Sequence, residues 1–259
     1  MGIRYTCSIA LTLAVLAGPA PASSIADLGL SLEQIRSLNA QLTAPIAAPG
    51  IAFGAPTGFG AGWGQAFAGL GGRTLAEGDQ DLDGSALLGW GMGDPRVLGL
   101  EAAMNIVSLS DGFAKDGSWG FKLHHSFPFR AAVSFGVDDA GGWGDASDTP
   151  SSTYLAYSQV VELNPDSPKR PLNLALTLGA GRERFAEPGK DLSAFGSVAL
   201  HWHRQASVIA DWHAGDLHLA VSVVPLYRMP LVATLGFINV TERFEPSDFA
   251  AGVGYLYQF

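Results

Sequence analysis

The sequence predicts an all-β fold, an antiparallel up-and-down transmembrane β-barrel of about twelve strands with a short N-terminal helix. Three observations support this prediction. Apolar residues alternate with small or polar ones over many segments, the connections between segments alternate between short and long, and the chain ends on an aromatic residue. Such alternation is typical of strands with one apolar face, and short turns opposite long loops are typical of transmembrane barrels.

The first 22 residues have the order of a secretory signal peptide. A lone cation, Arg4, precedes an apolar run from Ile9 to Leu16, which Ala20-Pro21-Ala22 follows. The run is shorter than the roughly 20 apolar residues that a membrane-spanning helix needs. Cys7 is the only cysteine, so the mature chain would depend on backbone pairing and burial instead of disulfides. We predict cleavage after Ala22 and export to a bacterial envelope.

The charge balance argues against nucleic acid as a partner. Without Arg4, 14 of the 15 Lys and Arg residues remain against 24 Asp and Glu residues. An acidic chain repels the phosphate backbone that basic surfaces attract, so we predict no nucleic-acid partner.

Residues 23–60 lack the strand pattern. Ser31 and Gln34 have the spacing of a capping box, and four apolar residues recur at helical spacing: Leu32, Ile35, Leu38 and Leu42. We predict a short amphipathic helix here, followed by a Pro- and Gly-rich linker from Thr43 to Gly60. We interpret residues 23–60 as a periplasmic tail. The alternative is a plug in the lumen, because small inward side chains leave space there.

Residues 61–259 carry the strand pattern of a transmembrane β-barrel. In LNLALTLGA, for example, Leu172, Leu174, Leu176 and Leu178 alternate with small or polar residues. The segments are close to the ~9–11 residues with which a tilted strand crosses a membrane. The twelve strands are expected near residues 61–73, 85–93, 96–109, 118–127, 130–138, 153–163, 171–182, 193–203, 206–213, 216–225, 230–240 and 249–259.

The connections between these segments alternate in length. Short ones such as GDPR (Gly93 to Arg96) are separated by longer polar ones such as AGGWGDASDTPSS (Ala140 to Ser152). One connection, AGD (Ala214 to Asp216), is short where a long one is expected. The pattern predicts a barrel with turns on one rim and loops on the other.

The chain ends in GVGYLYQF (Gly252 to Phe259), where Val253, Tyr255, Tyr257 and Phe259 share one face. This stretch resembles the C-terminal signal of Gram-negative outer-membrane β-barrel proteins. Gly254, Tyr257 and Phe259 fill the glycine and aromatic places of that signal, whereas Gly252 stands where the family has a polar residue. The resemblance implies an outer-membrane location, contact with membrane lipid and lipopolysaccharide, and the barrel assembly machinery as a partner during biogenesis.

A soluble periplasmic β-sandwich or lipocalin-like barrel would alternate as well. It would turn its apolar face inward and carry charges outside. Here the polar faces hold mostly Gly, Ala, Ser, Thr and Asn. Such faces are too poor in charge for a large water-exposed surface, so we favour the membrane barrel.

Several charged residues and histidines have the phase of the inward, lumen-lining face. They are Glu101, Lys122, His124, Asp138, Glu162, His201, His203, Asp211, His213 and His218. We interpret them as the polar lining of a pore. A transition-metal site built from the histidines is the alternative, although His203 and His213 fall at opposite rims.

The loop DQDLDG (Asp79 to Gly84) has an order that suits a hard cation. Asp79, Asp81 and Asp83 can curl round a calcium ion, and the glycine allows a tight turn. Trp90 stands where an EF-hand would need its bidentate acid, so this is not an EF-hand. A solvated acidic loop is our interpretation, Ca²⁺ or bridging of lipopolysaccharide is the alternative, and no other cofactor is predicted.

The sequence shows no constellation typical of an enzyme. His124 and Ser126 share a face without an orienting partner, and HExxH, GxSxG and glycine-rich phosphate loops are absent. We therefore predict a non-enzymatic, porin-like barrel that passes small solutes through a narrow, mildly acidic lumen. The alternative is a structural or surface-binding barrel with a closed lumen that acts through its long outer loops.

Overall fold

The computed structural model of the protein describes residues 47–73, 83–107, 114–165 and 172–259. The predicted signal peptide, the predicted helix near residues 31–42, and Asp79 and Asp81 lie outside these ranges. Within them, no helix is long and apolar enough to cross a membrane.

Twelve strands form a single closed barrel. Each strand pairs antiparallel with its neighbours in chain order, and β1 pairs with β12. The prediction of a twelve-stranded up-and-down barrel is confirmed. The strands are β1 (Gln65–Arg73), β2 (Asp83–Asp94), β3 (Leu98–Val107), β4 (Asp116–Phe127), β5 (Ala131–Trp143), β6 (Ser152–Glu162), β7 (Asn173–Gly181), β8 (Ser193–His203), β9 (Ala206–His213), β10 (Asp216–Val223), β11 (Leu231–Ile238) and β12 (Asp248–Gln258).

The barrel wall is apolar outside and polar inside. In β10, His218 and Ser222 are buried, whereas Leu219 and Val221 are 41% and 44% exposed. The same alternation recurs in β8, where buried Ser197 is followed by exposed Val198. A soluble barrel would show the reverse arrangement, so this wall suits a lipid surround.

The C-terminal strand closes the barrel against β1. Gly254 stands opposite Gly69, and the Phe259 amide donates a hydrogen bond to the carbonyl oxygen of Gly64 (2.8 Å). The Phe259 ring lies edge-on to that of Trp63, with 6.4 Å between the ring centroids. Tyr257 and Phe259 are exposed on the outer face. Recognition of Gly254, Tyr257 and Phe259 by the assembly machinery stays a prediction.

The start of β1 differs from the predicted one. Regular pairing with β12 begins at Gln65 and not at residue 61. The Ala61 amide instead donates a hydrogen bond to Glu101 Oε2 (2.8 Å), across the lumen side of the wall. This contact holds the chain away from the sheet. It joins residues 40 positions apart, so the local alternation of the sequence does not predict it.

Because the leucines of β7 face outward, a charged residue in their place should destabilise the barrel by an amount that depends on its depth in the membrane. Leu178 lies near the middle of β7 and is 70% exposed, whereas Leu98 begins β3 at the turn rim and is 56% exposed. Leu178→Arg should destabilise the barrel in lipid vesicles by about 2–4 kcal/mol and Leu98→Arg by about 0–1 kcal/mol. Denaturant unfolding in vesicles measures both, and equal losses would contradict the lipid-facing assignment.

Candidate functional site

Residues Ala47–Gly62, called the lumen segment below, lie inside the barrel. Their main-chain groups form hydrogen bonds with inward side chains from seven strands: Glu101 in β3, Lys122 and His124 in β4, Ser134 in β5, Ser158 in β6, Ser197 and His201 in β8, Ser207 and Asp211 in β9, and Ser222 in β10. A segment that contacts so many strands of a closed wall from their inward face must occupy the lumen.

The first described residues of the lumen segment contact the wall near the short-turn rim. The Gly50 amide donates to Ser222 Oγ (2.8 Å), and Ser207 Oγ donates to the Gly50 carbonyl oxygen (2.7 Å). His201 Nε2 donates to the carbonyl oxygen of Pro49 (3.3 Å). These three wall residues lie one or two positions from the short-turn ends of β10, β9 and β8.

The apex of the lumen segment reaches towards the loop rim. The amides of Phe53 and Ala55 both donate to Asp211 Oδ2, at 2.6 and 3.0 Å. Asp211 is fully buried and lies two residues from the loop-rim end of β9. The His213 ring at that end packs on Gly54. One carboxylate therefore holds the turn of the segment.

The chain then returns to the short-turn rim. The Gly58 amide donates to Ser158 Oγ (2.9 Å), and His124 Nε2 donates to the carbonyl oxygen of Ala61 (3.0 Å). The Trp63 amide donates to the carbonyl oxygen of Gly93, beside the β2–β3 turn (2.8 Å). The lumen segment is thus a re-entrant loop, and this is where the structure places the described part of the predicted tail or plug.

Glycine lets this loop approach the wall closely. A Cβ atom at Gly58 would lie 2.7 Å from the carbonyl carbon of Ala132 and 2.9 Å from the Ser158 amide nitrogen. A Cβ atom at Gly60 would lie 2.7 Å from His124 Nε2. The Pro- and Gly-rich composition therefore serves close packing of main chain against the wall.

Three other inward-phase residues hold the two ends of the barrel. Glu162 is paired with Arg130 (2.6 Å) at the exposed turn rim, and His203 accepts a hydrogen bond there from the Gln205 amide (3.2 Å). His218 accepts from the Asn239 amide (3.1 Å), so it holds the connection after β11. These three residues share the inward phase but support the two ends of the barrel.

The histidines do not gather into a metal site. His213 and His218 lie edge to face near the loop rim, with 4.0 Å between their ring centroids. His201 and His203 lie far from them, at the short-turn end of β8. In the described part of the chain, no three His, Cys, Asp or Glu side chains are placed to hold an ion. Of the loop aspartates, only Asp83 falls in a described range, as the first residue of β2.

Two cavities lie beside the apex of the lumen segment. One has a volume of about 590 Å³ and is lined by Phe53 of the segment and by small wall residues, including Gly69, Gly71, Gly252 and Gly254. The other has about 430 Å³ and carries charge: Glu101, Lys122, Asp138, Asp139 and Arg184. Ser85 and Leu87 line both, so the two cavities adjoin.

A β-bulge brings two carboxylates into the charged cavity. Trp119 pairs with Ala140 and Phe121 pairs with Val137, so Asp138 and Asp139 both stand opposite Gly120. A bulge redirects side chains, and Asp139 adopts a φ of 57°. Alternation predicts only Asp138 on the inward face. Asp139 was missed because a single sequence does not show the register shift.

Arg184 enters the same cavity from the β7–β8 connection. The next residue, Phe185, is 1% exposed and packs against Tyr154 and Phe195, with ring centroids 5.3 and 5.7 Å away. This anchor folds the loop inward, so that Arg184 Nη1 lies 3.7 Å from carboxylate oxygens of both Asp138 and Asp139. No sequence signal marked Arg184, because the inward fold depends on the aromatic cluster.

The same connection carries an ion pair on its outer side. Lys190 lies 2.8 Å from Glu187. The hydrogen bond from Lys190 lowers the pKa of the Glu187 carboxyl. Both groups lie outside the strands, in the connection that presents Arg184.

On the neighbouring strands β4 and β3, Lys122 and Glu101 hold the lumen segment. Lys122 Nζ lies 3.3 Å from Glu101 and donates to the carbonyl oxygen of Phe59 (3.3 Å). Glu101 also accepts from the Ala61 amide. The charged cavity thus contains three carboxylates and two basic groups.

This fold is that of an outer-membrane porin. The structure is similar to the KdgM porin in complex with disordered oligogalacturonate, with a TM-score of 0.50 and 10% identity over 75% of this chain and 99% of that one. It is also similar to a further KdgM porin structure, with a TM-score of 0.47 and 10% identity over 74% of this chain and 98% of that one. An outer-membrane channel from Pseudomonas putida F1 has a TM-score of 0.47 and 12% identity over 81% of this chain and 100% of that one. No protein-family model and no curated protein matches the sequence.

At such low identity, the likeness establishes the fold. Together with the apolar outer wall, the fold places the protein in an outer membrane, as predicted. The similar structures are porins and a channel, not enzymes.

Removal of the Asp211 carboxylate should loosen the apex of the lumen segment. Asp211→Ala leaves the amides of Phe53 and Ala55 without their acceptor. A hydrogen bond to a charged group contributes about 1.5–3 kcal/mol to stability, and this contribution would be lost. Hydrogen–deuterium exchange of these two amides should accelerate. Ser193→Ala is the control, since Ser193 Oγ accepts from the Glu187 amide (3.0 Å), which lies outside the lumen segment. Unchanged exchange in Asp211→Ala would contradict the anchoring role.

A side chain at Gly58 should expel the lumen segment. Gly58→Ala places a methyl group against the backbone of β5 and β6, whereas Gly71→Ala meets its nearest atoms at 3.6 Å. We expect faster amide exchange through the segment in Gly58→Ala only, with the barrel still heat-modifiable in gel electrophoresis. Equal behaviour of the two variants would argue against close packing at Gly58.

Proposed function

We propose that this protein is an outer-membrane channel for small polar solutes, and that the lumen segment restricts its width. The observation that carries this proposal is the pair of adjoining cavities beside the apex of the segment. Together they connect charged and glycine-lined parts of the lumen. Small inward side chains leave room that water and solutes can fill.

The attachment of the lumen segment supports a restricting role that is reversible. Inward side chains hold its main chain through individual hydrogen bonds, and the only bridge of sheet type near it among the described residues joins Trp63 to Gly91. Individual hydrogen bonds each contribute about 0.5–1.5 kcal/mol net. The segment can therefore leave the wall without any strand pair of the barrel having to separate.

The likeness to KdgM does not supply the solute. That porin was solved with an oligogalacturonate, whose sugar units carry carboxylates. The charged cavity of this chain already holds three carboxylates, so an acidic polymer is not the solute class that we propose.

A disulfide lock tests whether the lumen segment restricts passage. A Cβ atom at Gly50 would lie 3.4 Å from Ser222 Cβ, close to the ~3.5–4.5 Å between Cβ atoms in disulfides. Gly50→Cys/Ser222→Cys should give small conductance steps in planar bilayers when oxidised and larger steps after reduction. Cys7 lies in the predicted signal peptide, so the mature variant has no competing thiol.

A second disulfide serves as the control. Gly69→Cys/Leu87→Cys joins two wall strands at a Cβ distance of 3.8 Å and leaves the lumen segment free. The conductance steps of this control variant should not change on reduction. Equal steps in the locked and reduced first variant would contradict restriction by the segment. Silence of all folded variants would contradict the channel itself and favour the surface-binding barrel.

A further inference from the structure

The charged cavity has the chemistry of a binding site for a zwitterion. We propose that it binds a small α-amino acid, with Arg184 holding the carboxylate of the ligand and Asp138 and Asp139 holding its ammonium group. This proposal rests on the proposed function, because the amino acid would be a solute of the channel. It names the solute class that the channel would favour.

Arg184 has hydrogen-bonding capacity to offer. Its Nη1 atom lies 3.7 Å from Asp138 and from Asp139, beyond the 2.7–3.2 Å of an N–H···O hydrogen bond. Its side chain is 47% exposed. Among the residues that the structure describes, the guanidinium is thus close to two carboxylates without being hydrogen-bonded to either. A ligand carboxylate can accept two parallel hydrogen bonds from such a group.

Asp138 is similarly available. Within the described ranges its one ion pair is the 3.7 Å contact with Arg184, and its side chain is 31% exposed. Asp139 accepts a hydrogen bond from Ser118 Oγ (3.1 Å), which fixes its direction. The bulge therefore presents two carboxylates next to Arg184, one of them oriented by Ser118, and both can accept hydrogen bonds from an ammonium group.

The second pair of charges in the cavity is already engaged. Glu101 accepts from the Ala61 amide, and Lys122 donates to the carbonyl oxygen of Phe59. These two residues hold the lumen segment and leave little capacity for a ligand. The binding groups are therefore on the β5 and β7–β8 side of the cavity.

The combination of charges suits a zwitterion, which carries both signs. An anion would meet three carboxylates in the same cavity, and a cation would meet Arg184 and Lys122. A zwitterion satisfies both signs without adding net charge. The rings of Phe67 and Tyr154 also line the cavity and can contact an apolar side chain of the ligand.

Binding is tested on the folded mature chain in detergent micelles. Saturation-transfer difference NMR compares free L-alanine with propionate, which lacks the ammonium group, with ethylammonium, which lacks the carboxylate, and with neutral arabinose. L-alanine should bind most tightly. Arg184→Gln and Asp138→Asn should each weaken it by up to about fivefold, as expected for partly exposed charges.

Arg182→Gln is the matched control. Arg182 lies two residues away in the same connection, and its side chain donates to the carbonyl oxygen of Asp191 (3.3 Å) on the exposed side. The affinity of the Arg182→Gln variant for L-alanine should equal that of the unchanged protein. Equal binding of L-alanine and propionate, or equal affinities in all three variants, would overturn the proposal.

Passage is measured separately by the swelling of liposomes that contain the reduced Gly50→Cys/Ser222→Cys variant. Entry of arabinose without any binding of L-alanine would contradict only the zwitterion site. Binding of L-alanine in micelles without entry of any solute would contradict the channel function and leave the site in place. The two failures are therefore distinguishable.

Discussion

The structure depends on one constraint: main-chain N–H and C=O groups that are shielded from water need hydrogen-bond partners. The wall meets this constraint through a closed ladder of twelve strands, which leaves no free edge. The lumen segment has no ladder, so inward serine, histidine and carboxylate side chains supply the partners. The polar lining of this barrel is therefore largely an inner support for a second piece of chain.

These two solutions differ in strength. Strand pairs in the wall share many hydrogen bonds and separate cooperatively, whereas the lumen segment is attached at single points such as Ser222, Asp211 and Ser158. In many proteins the free energy of local opening differs from region to region, and the regions that move are those with the lowest values. The lumen segment has the attachment expected of a moving part, and the wall has that of a fixed scaffold.

An aromatic cluster joins the parts that surround the charged cavity. Phe185 from the β7–β8 connection, Tyr154 from β6 and Phe195 from β8 pack with Ala55 at the apex of the lumen segment. The same cluster sets the position of Arg184. Movement of the apex would therefore remove a packing partner from the loop that carries this guanidinium.

The sequence by itself determined the number of strands, their approximate bounds and the face on which Glu101, Lys122, His124 and Asp211 lie, because these follow from local alternation with a period of two. Only the tertiary structure decided that Asp139 and Arg184 join the cavity, that Glu162 and His203 stay at the rim, and that residues 47–62 turn back inside the barrel. A register shift, an inward-folded loop and a re-entrant chain arise from contacts between residues far apart in sequence. Periodicity does not record such contacts.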